Sequence, residues 1–187
     1  MMTDVALIWD RPMLFEKLFL EYGVKCERVS PIAVGTPYSP KYRVAIIPVG
    51  FGNPAYSSVA KVIRSLRTAL KNFVTDGGIV TIFSPFIDNY DFKWIDLPYD
   101  FKMILRDDPI KIEQVKEHPA AHIVDILEAR TDGYLTGVAE RDVILKSKDG
   151  PVLTLIPMGG GFIILTTIHE LPSRRFIMWT LEASKVG

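Results

Sequence analysis

Between Ser57 and Ser84 the hydrophobic period of the chain switches from helix to strand. Val59, Val62, Ile63, Leu66, Leu70, Phe73 and Val74 recur at i, i+3, i+4 and i+7, the spacing of one helix face. Lys61, Arg64, Arg67 and Lys71 fall mostly on the opposite face. Ser57 or Ser58 is expected to cap the helix start, because a serine oxygen satisfies an orphan backbone N–H. Gly77 is expected to end it in the left-handed conformation, with Gly78 turning the chain at once. Ile79 to Phe83 is then a short apolar run rich in β-branched residues, which is how a strand buried on both faces reads. A helix feeding directly into a buried strand is half of a βαβ unit.

The remaining pattern extends that unit in both directions. Val5–Trp9 reads as a first, central strand, followed by Asp10 and then by Arg11-Pro12. Pro12 suits the first turn of a helix, where a missing N–H costs nothing. Leu14, Phe15, Leu18, Phe19 and Tyr22 form that helix's apolar face, and Gly23 ends it. Lys25–Val29 is a weaker strand, residues 30–41 a proline-rich loop, and Tyr42–Pro48 a third buried strand. Gly50, Gly52, Asn53 and Pro54 make a turn before the helix above. The order β-α-β-β-α-β with short loops predicts a mainly parallel sheet covered on both faces by helices, a flavodoxin-like α/β fold. Residues 85–100 are aromatic and acidic without a period, and predict a long loop over the sheet edge. Phe101–Leu105 and Lys111–Val115 read as short strands, His118 to about Leu127 as a helical turn, and Thr131–Gly137 as loop. Val143–Lys146, Val152–Ile156 and Phe162–Thr167 are three strands, the first two joined at Lys148-Asp149-Gly150, since Asp-Gly is a strong hairpin signal. Arg175–Lys185 closes the chain as a helix. No repeat or interdomain linker interrupts residues 1–187, so one α/β domain with an antiparallel hairpin extension is expected.

Charge narrows the range of partners. Lysine plus arginine and aspartate plus glutamate both number 22, so no whole-chain attraction to nucleic acid or an anionic membrane is expected. The single cysteine, Cys26, leaves no internal disulfide and no zinc motif. MMTDVALIWD carries an acid and lacks a basic n-region, so it does not read as a signal peptide. No run approaches the ~20 apolar residues of a membrane span. A cytoplasmic protein is the expectation.

Ligands of open α/β sheets sit outside the carboxyl ends of the strands. That rule nominates Asp10, the turn Gly50-Phe51-Gly52-Asn53, and Ser84 onward as one neighbourhood. A nucleophile in such folds often occupies the turn between a central strand and the next helix. Here the position is Phe83 or Ser84, and the favoured reading of Ser84 is that it caps or hydrogen-bonds its own turn. His169 follows the strand FIILTT and can act as a general base if a carboxylate orients it. Its neighbour Glu170 points to the opposite face of a strand, which limits its reach. A glycine turn before a helix can hold an anion or oxyanion, although Gly50–Asn53 lacks nucleotide-binding spacing. His118 and His122, four apart, could share a helix face, but without a placed carboxylate they form no convincing metal set. Gly159-Gly160-Gly161 reads as a hairpin, and Asp107-Asp108 as a turn. Tyr90, Phe92, Trp94 and Tyr99 either stack on a sugar or base or form the loop's own small core. Neither a metal nor a cofactor is expected.

With these pieces placed, the chain resembles the class I glutamine amidotransferase-like fold, and within it the branch containing the ThuA-like proteins and the β-galactosidase trimerisation domain. The features that carry the resemblance are the opening strand and helix, YRVAIIPVGFGN before a helix, and the helix leading into DGGIVTIFSP. DGYL followed by DVILKSKDGPVLTLIPMGGGFIILTTIHE is similar to the closing hairpins and terminal strand of that fold. The resemblance covers nearly the whole chain, residues 85–130 least. It departs at the chemistry. A true amidotransferase carries a cysteine at the turn held here by Phe83 or Ser84, and Cys26 lies on a different strand. The late His-Pro-Glu is reduced to His169-Glu170, and the elbow histidine of ThuA-like proteins is absent.

Three functions remain open on these grounds. One is a non-catalytic domain binding a small polar ligand, a carbohydrate among the candidates, or a partner at the strand-end crevice. The second is a hydrolase using Ser84 with His169, with Glu170 beside it. The third is a structural domain forming a homodimer or higher homo-oligomer. The third would use the C-terminal helix and the aromatic loop as its surfaces, whereas the resemblance and every candidate site residue rest on one geometric expectation: Asp10, Gly50, Ser84 and His169 converge at one edge of a single sheet. Parallelism requires this for the first three, and the resemblance implies it for the strand leading to His169.

Overall fold

The structure, a computed structural model, describes residues 2–106, 109–125 and 128–186; the Asp107-Asp108 turn expected above lies outside them. Burial follows the strand pattern. All four residues of β4 (Ile79–Ile82) are buried, as are five of six in each of β1 (Thr3–Ile8) and β3 (Tyr42–Ile47). Side chains hidden on both faces need covering layers, and each buried Val, Leu or Ile contributes about 1.5–3 kcal/mol. With β2 (Cys26–Val29) and β13 (Gly161–Thr166), these strands form a continuous parallel set in the order β2-β1-β3-β4-β13. The sheet continues antiparallel through β12 (Pro151–Met158) and β11 (Val143–Lys146) to β8 (Glu113–Gln114), giving eight strands. The hairpin turns at Lys148–Gly150 and Gly159–Gly161 fall where the glycines place them. The helices are α1 (Leu14–Glu21), α2 (Ile63–Thr75) and α3 (Arg174–Ala183).

Two helix starts differ from their sequence signals. Pro12 precedes α1 rather than opening it, and the start is secured by the Glu16 carboxylate, which accepts from the Met13 amide at 2.9 Å. Neither Ser57 nor Ser58 caps α2. A short 3-10 turn at Val59–Lys61 intervenes: the Ser57 oxygen accepts from the Val59 amide at 3.1 Å in that turn, and both hydroxyls donate to Asp10. Gly77 does end α2, at φ +105°.

The connection between β4 and β11 holds more structure than its sequence announces. Residues 131–137, expected as loop, contain β10 (Gly133–Thr136), antiparallel to β6 (Lys102–Leu105), which also pairs with β5 (Tyr90–Asp91). Gly133 makes the pairing possible: a Cβ there would stand 1.9 Å from the Ile104 carbonyl oxygen. Lys111–Val115, expected as one strand, is split at the buried Ile112. β7 (Pro109–Lys111) pairs with β9 (Glu128–Arg130), and β8 joins the main sheet. The aromatic residues of 85–100 form a small core rather than an open stacking surface. Phe51 meets Tyr90 and Trp94 edge-on at 5.6 and 6.1 Å, and Tyr90 meets Phe92 at 5.1 Å. Burial pushes the Tyr90 hydroxyl up to about 12. The basic face of α2 helps to hold this segment down, as Arg67 and Lys71 both pair with Asp96. Among the described residues, no helix is long and apolar enough to cross a membrane.

Candidate functional site

Parallel pairing of β1, β3, β4 and β13 puts their carboxyl ends on one side of the sheet. Asp10, Gly50, Ser84 and His169 therefore lie along one edge, although they are distant in sequence. Gly50 and Ser84 are joined directly, the Gly50 amide donating to the Ser84 carbonyl at 2.8 Å.

The chemical state of each residue decides what this edge can do. Asp10 accepts from the Ser58 amide at 2.6 Å, the Ser58 hydroxyl at 2.7 Å and the Ser57 hydroxyl at 3.1 Å. Partial burial pushes its carboxyl up, but the Ser58 and Ser57 bonds, with Arg11, outweigh this and hold it below the usual carboxylate range. Asp10 thus organises the entry to α2. The turn amides are also engaged: besides the Gly50 bond, the Gly52 amide donates to Pro85 O at 3.3 Å and that of Asn53 to Gly50 O at 3.0 Å. An oxyanion hole needs donors aimed at the substrate, and these three are turned toward the chain itself. The Asn53 side chain accepts from the Ala55 amide, and the Phe51 ring is wholly buried.

Ser84 is 1% exposed. Its oxygen accepts from the Phe86 amide at 3.0 Å and its hydroxyl donates to Met103 Sδ at 3.3 Å. Among the described residues, no hydrogen bond joins Ser84 to His169. Cys26 offers no replacement: burial, then Glu16 and Glu27, push its thiol up to about 12, far from the thiolate that does nucleophilic work.

His169 is oriented, but not by Glu170. Its Nδ1 lies 2.6 Å from Asp132 Oδ1, with the Asp132 side chain 4% exposed and the imidazole 46%. The juxtaposition is built by backbone: Thr131 bridges Ile168 antiparallel, the His169 amide donates to Arg130 O, and the Asp132 amide donates to Thr167 O. Glu170 folds back to accept from the Arg130 amide. Asp132 was missed because residues 131–137 read as loop; only the pairing of residues 130–132 with 167–169 brings it to the imidazole. Phe86 was missed as well. Its ring is 50% exposed, meets His169 at 6.4 Å and sits on a residue at φ +57°, a conformation side chains seldom adopt.

His118 and His122 lie elsewhere, on a 3-10 turn at Pro119–Ile123 beside a cavity of about 440 Å³. His118 Nδ1 accepts from the Ala120 amide at 3.1 Å, and His122 Nε2 lies 3.0 Å from Arg175 Nη2. No cluster of three or more candidate ligands for a metal occurs among the described residues. Burial, then Lys116, hold the His118 pKa below its ordinary value. The unfolded chain then binds the proton more tightly, so the contribution of neutral His118 is complete above about pH 6.5 and is lost as pH falls below it. Denaturation midpoints measured from pH 7.5 to pH 5 should fall, and His118→Gln should flatten that slope. An unchanged slope would remove His118 as its source.

No family model matches the chain, and no curated protein matches it in sequence. Solved structures do match. A cytoplasmic protein of Salmonella typhimurium superimposes with a TM-score of 0.60 at 15% identity, over 97% of this chain and 98% of that one. A putative ThuA-like protein of Bacteroides uniformis gives 0.56 at 10% identity, over 97% and 89%. A β-galactosidase of Bacillus circulans sp. alkalophilus gives 0.57 at 14% identity over 98% of this chain, which spans only 32% of the β-galactosidase. What this chain shares with these proteins, at such identities, is the fold: a mostly parallel α/β sheet continued by antiparallel strands.

Proposed function

We propose that this chain is a non-catalytic amidotransferase-like domain that binds a small polar ligand at the carboxyl edge of its sheet. The observation that carries the reading is a contrast between adjacent strands. At the end of β4, where the fold places a nucleophile, Ser84 is buried and its hydroxyl is committed to Met103. At the end of β13, His169 stands half exposed on a buried carboxylate. The edge thus keeps an oriented polar group while lacking an available nucleophile. Asp10 and the turn Gly50–Asn53 act in this reading as the frame of the crevice. The domain is taken as one unit over residues 1–187, in the cytoplasm, as for the Salmonella neighbour.

Thermal shift against sugars, polyols, amino acids and small carboxylates tests the reading. A ligand at a hundred times its Kd adds about 2.7 kcal/mol of apparent stability. His169→Ala should abolish the shift, whereas Asp10→Ala should lower the starting Tm and leave the shift intact. Labelling of Ser84 by a fluorophosphonate would overturn the reading in favour of a serine hydrolase.

A second reading, a homo-oligomer built on the same face, is favoured by one observation. Tyr56, Phe86, Ile87 and Leu171 are exposed, and all lie in segments that follow β3, β4 or β13. Exposed apolar side chains along one edge fit an interaction surface, and the resemblance to a β-galactosidase trimerisation domain agrees with that. A monomer in light scattering at micromolar concentration would remove this reading.

A further inference from the structure

Six buried side-chain polar atoms lack a hydrogen-bond partner among the described residues, and three of them are Thr131 Oγ1, Asp132 Oδ2 and Glu170 Oε2. Half of these orphans thus fall on the two short segments that pair beside His169. Native structures rarely leave buried polar groups unmatched, and each exception calls for an explanation. Two of the three belong to carboxylates, which when ionised only accept. Their other oxygens are engaged: Asp132 Oδ1 with His169 Nδ1, Glu170 Oε1 with the Arg130 amide. His169 adds to the same side of the balance. In a neutral imidazole whose Nδ1 proton is given to Asp132, Nε2 is an acceptor.

We infer that the Asp132–His169–Glu170 cluster is a binding site for a small ligand that presents hydrogen-bond donors, hydroxyls or an ammonium group, and that carries an apolar face for Phe86. The inference rests on the crevice reading above and gives it a chemistry. A site rich in acceptors repels carboxylates and phosphates, whose oxygens duplicate what is already there, and matches groups that bring protons. Phe86 supplies the complementary surface, since an aromatic ring packs against the C–H face of a polyol or against a cation. Its backbone supports a functional role. Residues held at positive φ without glycine are strained and persist where the surroundings enforce them. Here Ser84 enforces it, accepting from the Phe86 amide at 3.0 Å. The buried serine at the old nucleophile position thus acts as a positioning residue for the ring over His169.

The test is nuclear magnetic resonance of the His169 ring at pH 8, on the intact chain. Methyl glucoside probes hydroxyls, ethylamine probes ammonium, and acetate is the acceptor-only counterpart. A saturable shift of the His169 ring with methyl glucoside or ethylamine, and none with acetate, is the expected result, and the responding probe identifies the donor class. Asp132→Asn and Glu170→Gln each replace an acceptor by a donor and should weaken binding at least tenfold. Phe86→Gly should weaken it similarly while leaving the Tm unchanged or higher, because glycine accepts the positive φ; that variant keeps the test valid if a carboxylate variant folds poorly. A saturable shift with acetate alone would overturn the donor assignment and leave the crevice reading standing. No saturable shift with any of the three, together with no hit in the thermal-shift panel, would overturn both. Silence toward both donor probes with a hit elsewhere in the panel would overturn only this inference.

Discussion

Replacing Phe51 by alanine should destabilise the protein by about 3–5 kcal/mol, the range for removing a buried aromatic side chain. The ring is wholly inaccessible. It is the point at which the β3–α2 turn meets the segment 85–100, through near-perpendicular contacts with Tyr90 and Trp94. Aromatic pairs of this geometry add about 0.5–1.5 kcal/mol beyond the area they bury. Phe92, 3% exposed, rests on Tyr90 in turn, so the loss propagates along this segment. For a chain of this size 1 kcal/mol moves Tm by roughly 2–4 °C, and the expected fall is on the order of 10 °C. Hydrogen exchange should show residues 90–95 opening first, since their anchor is gone while the Arg67–Asp96 and Lys71–Asp96 pairs are surface contacts worth little. A loss below about 1 kcal/mol would mean that the segment 85–100 holds without Phe51.

Gly161→Ala should cost at least as much, on the order of 3 kcal/mol or more, through overpacking. The conformation of Gly161 is ordinary; the space around it is not. A Cβ would stand 1.9 Å from the Gly78 carbonyl oxygen and 2.7 Å from that of Val74. Both are backbone atoms, so neither can swing aside as a side chain can. Three segments meet there: the end of α2, the β12–β13 turn, and the C-terminal residues, where the Lys185 amide donates to Gly77 O. The Gly160 amide donates to Thr75 O at 2.9 Å, fixing the separation. Gly23→Ala is the control. Its φ is +73° with nothing within 4 Å of the added carbon, so it costs only the left-handed preference, about 1–2 kcal/mol. Urea denaturation should show a much lower midpoint for Gly161→Ala than for Gly23→Ala, at similar m. Equal midpoints would show that the hairpin can move away from α2.

These substitutions separate local from non-local information in the chain. The parallel strands were legible because a strand buried on both faces must be apolar at successive positions, as Val5–Ile8 and Val44–Ile47 are. The helices were legible because α2 keeps its apolar residues at helical spacing. Together these put Asp10, Gly50 and Ser84 on one strand-end edge; the place of His169 there was implied only by the resemblance. Asp-Gly at 149–150 named its hairpin because a tight turn is a local property. The identical dipeptide at 132–133 makes no hairpin: there the glycine serves the approach of β10 to the Ile104 carbonyl, a contact 29 residues away in sequence.

The sequence by itself therefore determined the α/β class, the parallel core and the absence of a thiol at the nucleophile position, since each depends on spacing within one segment or on residue identity alone. Tertiary structure decided what each edge residue is free to do. Hydrogen-bond partners are chosen by proximity, and in a sheet proximity is set by strand order. Asp10 is committed to Ser57 and Ser58 across 47 and 48 positions, Ser84 to Met103 across 19, and His169 to Asp132 across 37. No periodicity carries those pairings, because each arises only where two separately folded segments come into contact.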